Sequence, residues 1–132
     1  MRLPLRLISL SIAASLAACG MGSEAIPGRP WKLVSIDGRA PVAEARLEFG
    51  DDGRLTVQPG CNSGGGPYSF DSNHIRIGEL PITAMLCTDE AANAQEAAIL
   101  AVLRGKPTFA VEAGTGELQL EGNGTTLVFV TP

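Results

Sequence analysis

The stretch "CNSGGGPYSF" places Cys61 and Asn62 in front of Gly64-Gly65-Gly66, and the single histidine, His74, and Cys87 follow it. Residues of these types could supply a nucleophile, a metal ligand or half of a disulfide, and the glycines could cradle a phosphate. A phosphate cradle needs its glycines between a strand and a helix whose N-terminus faces the anion. Here the run leads into Tyr68-Ser69-Phe70, an alternating strand pattern; Pro67 removes a backbone donor, and no lysine follows. The glycines are therefore expected to form a mobile or sharply bent loop at positive φ. Zinc would want more ligands at closer spacing, so no metal and no cofactor is expected. A Ser-His-Asp arrangement would have to use His74, near Asp71. That residue falls on the polar side of a turn-to-strand junction with Arg76, where little would desolvate or orient it. Asp51 and Asp52 sit in a hairpin turn, where aspartate bonds its own backbone, and calcium would need further ligands. Asn123-Gly124-Thr125 matches a glycosylation acceptor but reads as a turn. No catalytic residue is assigned.

The N-terminus bears on the cysteines. Arg2 and Arg6 precede the uncharged apolar run Leu7–Ala18. This is the pattern of a secretory leader, and the run is short of the ~20 residues that span a bilayer. Leu16-Ala17-Ala18-Cys19 resembles the bacterial lipobox, in which the cysteine is acylated and becomes the first mature residue. Two or more acyl chains anchor a protein stably. Gly20 stands where an inner-membrane retention aspartate would sit, which favours the outer membrane, facing the periplasm. The expected organisation is a leader over 1–18, a flexible Gly- and Pro-rich tether over 19–29 and one domain over 30–131. With Cys19 given to lipid, Cys61 and Cys87 remain as an even pair in an oxidising compartment. A disulfide between them would be worth about 3–4 kcal/mol in the chain-entropy picture. Two reduced, partly buried thiols or a reactive cysteine are the alternatives.

The chain has 132 residues and a formal charge of −4. Losing Arg2 and Arg6 with the leader takes the charge to about −6 by the usual ionisation states. There is no basic stripe, so nucleic acid is not an expected partner. The acids are scattered singly, as on a solvated surface.

Elsewhere the pattern has period two. Leu47 and Phe49, Leu55 and Val57, Ile75 and Ile77, Phe109 and Val111, Leu118 and Leu120, and Leu127 and Phe129 alternate with polar neighbours, with turn residues between runs. That predicts a half-buried antiparallel sheet. "TDEAANAQEAAILAVLRGKP" predicts one helix over about 88–104. Thr88 or Asp89 would cap it, and Gly105 would close it in the left-handed conformation before Pro107. Ala92, Glu96, Ile99 and Leu103 share its inner face, broadened by Leu100. The expected fold class is α+β, mostly β: a curved antiparallel sheet or partly open small barrel covered by one helix.

Trp31-x-Leu33, Gly60-Cys61-Asn62, Gly66-x-Tyr68, Thr83-x-Met85 before Cys87, and Leu118-x-Leu120 together resemble the META domain over residues 30 to 130. The glycine tract and Pro67 depart from the bulkier, more polar loop expected there. The resemblance implies a small β-rich barrel-like domain with one helix, found in bacterial envelope lipoproteins and similar in shape to a lipid-binding secretion pilotin. It carries no catalytic residues and no cofactor.

The reading that follows is a monomeric, non-enzymatic lipoprotein held by Cys19, binding or stabilising another envelope component, with a link to stress. An alternative is a lipid or small-ligand carrier with a cavity at the concave face near Trp31, Tyr68 and Phe70, although plain core packing accounts for those aromatics in so small a domain. A further alternative is an inhibitor of a cell-wall hydrolase. Nothing in the residues selects a particular partner.

Overall fold

The computed structural model describes residues 22–85 and 87–132. Arg2, Arg6, the expected leader over 1–18, Cys19 and Gly20 lie outside the described residues, as does Leu86. The alternating runs form strands β1 (Pro30–Ile36), β2 (Arg46–Phe49), β3 (Arg54–Gln58), β4 (Gly64–Asp71) and β5 (His74–Ile77), then helix α1 (Glu90–Arg104), then β6 (Thr108–Val111), β7 (Leu118–Gly122) and β8 (Thr125–Val130). Each strand pairs antiparallel with the next, and β8 pairs back onto β1, so the sheet closes into a barrel. Closure gives each of these strands a neighbour on both sides.

Register explains why one face is apolar throughout. Trp31 lies opposite Leu47, and Leu47 opposite Val57. Phe109 lies opposite Leu120, Leu118 opposite Phe129, and Phe129 opposite Leu33. A slip of one residue would turn any of these strands inside out. The barrel is filled: Trp31, Phe49, Leu55, Ile75, Leu118, Leu120, Leu127 and Phe129 are all buried. The indole Nε1 of Trp31 donates to the Ile26 carbonyl at 2.9 Å. Phe49, Tyr68, Phe70 and Phe109 meet edge to face in sequence, with ring centroids 5.0, 5.6 and 5.2 Å apart, the arrangement their quadrupoles favour.

The closure is uneven. β5 and β6 share one residue pair, His74 with Thr108. Backbone bonds from Ile75 N–H to Pro107 O (2.8 Å) and from Phe109 N–H to Asn73 O (2.9 Å) flank it. Beside this junction the Asp71 carboxylate meets Arg76 at 3.0 Å and Lys106 at 3.2 Å.

In an up-and-down barrel, alternate connections emerge at the same end. Helix α1 lies in the β5–β6 connection, and it touches the β1–β2, β3–β4 and β7–β8 connections, so it covers that end. Gln95 accepts from Val42 N–H at 2.8 Å and from Ala43 N–H at 3.2 Å. Its amide donates to Ala43 O at 2.8 Å and Pro59 O at 3.4 Å. At the other end of the helix, Asn123 Nδ2 donates to Ala101 O at 2.7 Å. Asp89 caps the helix, accepting from Ala91 and Ala92 N–H.

Three expectations are corrected. The expected tether over 19–29 is not free along its whole length: a 3-10 turn (Ser23–Ala25) leads to Ala25 and Ile26, both buried in the core. Apolar side chains that find a core to pack against leave water even in a Gly- and Pro-rich stretch. The glycine run is not a bent loop at positive φ; it is the start of β4, with Gly64, Gly65 and Gly66 paired to Val57, Thr56 and Leu55. The reason is close approach. A Cβ on Gly64 would collide with the Pro81 carbonyl, and one on Gly66 with the Glu79 carbonyl. Finally, Gly105 keeps φ −88 while Lys106 takes the left-handed turn at φ 52. Gly105 is glycine for space, since a Cβ would sit 2.7 Å from the Asn123 amide.

Candidate functional site

The glycine strip of β4 lets the segment after β5 fold back across it. Gly64 bridges to Ile82, and Thr83 N–H donates to Ser63 O at 3.0 Å. That return segment carries Thr83, Met85 and Cys87 to the β3–β4 connection, which carries Gly60, Cys61 and Asn62. The two meet under the N-terminal half of α1.

Asn62 is the centre of the meeting point and is 6% exposed. Its Oδ1 accepts from Met85 N–H at 2.7 Å and from the Thr83 hydroxyl at 3.0 Å. Its Nδ2 donates to Glu96 Oε2 at 2.8 Å and to Met85 O at 3.4 Å. Its backbone N–H donates to Glu96 Oε1 at 2.9 Å. A buried amide costs free energy unless its donors and acceptors find partners, and here they do. Among the described residues, no buried side-chain nitrogen or oxygen lacks a partner.

The neighbours of Asn62 have separate tasks. Cys61 and Cys87 form a disulfide with Cα atoms 6.0 Å apart. Gly60 lets the connection approach the helix, where a Cβ would lie 3.3 Å from Ala92 O. Met85 is held by its backbone at both N–H and C=O, yet its side chain is 63% exposed. An open polar cleft of about 520 Å³ lies alongside, lined by Glu44, Arg46, Gln58, Gly60, Cys61, Asn62 and Ser63.

The structure thus brings together Gly60, Asn62, Thr83, Met85, Cys61 and Cys87. Trp31, Leu33 and Tyr68 stand apart: Trp31 and Leu33 are barrel core, and Tyr68 is half-buried, its hydroxyl donating to Gly50 O at 2.6 Å. Burial first, and then Asp51 and Asp52, raise the Tyr68 pKa. Gly66 belongs to the strip beneath the return segment. His74 is half-buried at the β5–β6 junction, outside the clasp that Asn62 makes with Thr83, Met85 and Glu96. Asp52 accepts from Arg54 N–H at 3.1 Å within its hairpin turn. Asn123 (φ 52) and Gly124 (φ 75) form the β7–β8 turn. Among the described residues, no group of three His, Cys, Asp or Glu side chains could hold a metal ion. Cys19 lies outside the described residues.

Two polar residues were not singled out by sequence reasoning. Helical periodicity puts Glu96 on the inner face of the helix but names no partner for it, and it does not point to Gln95. The available signal was a pair of adjacent polar residues interrupting an apolar helix stripe, which suggests polar partners beneath.

The META domain family model matches residues 24–132. Among solved structures, an NMR structure of a protein from Burkholderia xenovorans is similar at TM-score 0.67 and 21% identity, covering 98% of this chain and 99% of that one. A second NMR structure matches at TM-score 0.71 and 18% identity, covering 84% and 95%. Among curated proteins no match was found.

Proposed function

The chain belongs to the META domain family, and from that premise we propose that it is a non-enzymatic lipoprotein, anchored at Cys19 in the outer membrane, that binds another envelope component through the helix-covered end of its barrel. The observation that carries this reading is the clasp. The family residues Asn62, Thr83 and Met85 use their polar atoms on one another and on Glu96, which makes this meeting point a bonded joint between two connections and the helix. What the clasp presents outward is the Met85 side chain. Flexible, polarisable methionine is a common contact residue at adaptable binding surfaces.

Packing favours binding over carriage. Trp31, Phe49 and Phe129 fill the barrel centre, where a carrier would need space for its ligand.

The test is photo-crosslinking in intact envelopes from a reactive residue at Ala84, with and without Met85→Ala. The proposal expects a discrete protein adduct that disappears when Met85 is truncated. No adduct, together with lipid carried through native mass spectrometry of the purified domain, would favour a carrier instead.

A further inference from the structure

The way the chain enters the barrel fixes which end an acyl anchor can hold. Ile26 is fully buried and its carbonyl accepts the Trp31 indole. Gly28 N–H donates to Phe49 O at 2.9 Å, beside Asp51. Phe49 ends β2 and Asp51 lies in the β2–β3 turn, which shares its end of the barrel with the β4–β5 and β6–β7 turns. The chain therefore enters at the end opposite α1.

Burial of Ala25 and Ile26 also shortens the free tether. Between Cys19 and Ala25 the chain can extend no more than about 20 Å at 3.3–3.6 Å per residue. An eight-residue strand such as β4 spans about 26 Å. Tilted by about 35–45° to the barrel axis, such a strand covers about 19–21 Å along it, and the layer of helix α1 adds about 10 Å at the far end, so a tether leaving the entry end cannot carry the bilayer around to the helix-covered end.

Both ends carry charge, the helix-covered one through Glu44, Asp89, Glu90 and Arg104. The entry end carries Glu24, Asp51, Asp52, Glu112 and Glu117, acids that oppose insertion among acyl chains, so the barrel is held at the headgroups by its short tether and not by its surface charge. The segment Leu80–Met85 at the helix-covered end carries no charge.

We infer that the anchored barrel stands on the bilayer on its acidic turn end, holding the clasp and Met85 away from the membrane toward a partner in the aqueous space. This rests on the anchor at Cys19 proposed above and adds the orientation.

The test uses the full acylated chain in vesicles of phosphatidylethanolamine and phosphatidylglycerol containing a headgroup-nitroxide lipid. One variant places a fluorophore at Gly114→Cys in the β6–β7 turn, where a Cβ meets nothing within 4 Å. The other places it at Ala97→Cys, on the exposed side of α1. Quenching at position 114 is expected to exceed that at 97 several-fold. Equal quenching, from a barrel lying on its side, or stronger quenching at 97 overturns the orientation while the anchor survives. A chain that does not float with the vesicles overturns the anchor and the orientation with it.

Discussion

Both carboxylate oxygens of Glu96 are engaged by one residue, Asn62: Oε1 takes its backbone N–H at 2.9 Å and Oε2 its side-chain amide at 2.8 Å. The pair joins the β3–β4 connection to helix α1, and through Asn62 Oδ1 it reaches Met85. Asn62→Ala would leave Glu96 and the Met85 N–H without these partners. A loss of about 2–3 kcal/mol is expected, from hydrogen bonds to a charged group and the cost of stranding its partners. Urea denaturation checks it. Asn62→Asp has a distinct signature, because it sets a second carboxylate against Glu96. Two like charges at this distance repel, and protonating either one removes the repulsion. Its destabilisation should therefore be greatest near neutral pH and shrink as pH falls through the carboxylate range. A variant indifferent to pH would contradict this geometry.

The Cys61–Cys87 disulfide should protect both thiols. Denatured, non-reduced protein is expected to take up no alkylating reagent at either position. Replacing both with serine should lower stability by about 3–4 kcal/mol on the loop-closure argument. Labelling of both cysteines without reductant would show the crosslink to be absent.

Gly64→Ala and Gly66→Ala should each be destabilising by about 1–3 kcal/mol, the range for overpacking a site that cannot relax, because backbone carbonyls occupy the space. Gly114→Ala, with nothing nearby, serves as the control and should be nearly neutral. Equal effects at all three would refute the close approach of the return segment. Thermal unfolding distinguishes the outcomes.

Asp71 is exposed, and hydrogen bonds from Lys106 and then Arg76 hold its carboxyl below its ordinary pKa. A depressed acid adds stability above its unfolded pKa and loses it as pH falls through the folded value. Asp71→Asn should therefore be slightly less stable than the parent near neutral pH and indistinguishable from it in strong acid. Salt should narrow the gap. A difference that persists in acid would point to something other than these ion pairs.

Trp31→Ala removes a fully buried indole and the bond to Ile26. A loss of about 3–5 kcal/mol is expected, the usual range for truncating a large buried aromatic. Equilibrium denaturation of the variant measures it. A loss below about 1 kcal/mol would place the ring outside the core.

Strand positions were legible because a half-buried sheet writes its burial into every second residue. Leu47, Leu55, Leu118 and Phe129 declare themselves that way. The Asp89 cap was legible because its side chain serves its own neighbours. Harder features depended on distant partners. Gly64 and Gly66 look like loop residues until residues 79–82 cross them, and only the fold brings that segment there. Ile26 looked like tether because its pocket is assembled from strands that come later. Asn62 was visible as a motif residue, but its partner Glu96 lies 34 positions away and no local rule connects them.

A cylinder stitched by a lone pair of residues on one flank has a preferred place to unzip. Amide protons of Ile75 and Phe109, which hold that flank, should exchange with deuterated solvent sooner than those of the β7–β8 ladder. If so, the first breath of this domain would part its wall between His74 and Thr108, beside the ring stack of Phe70 and Phe109.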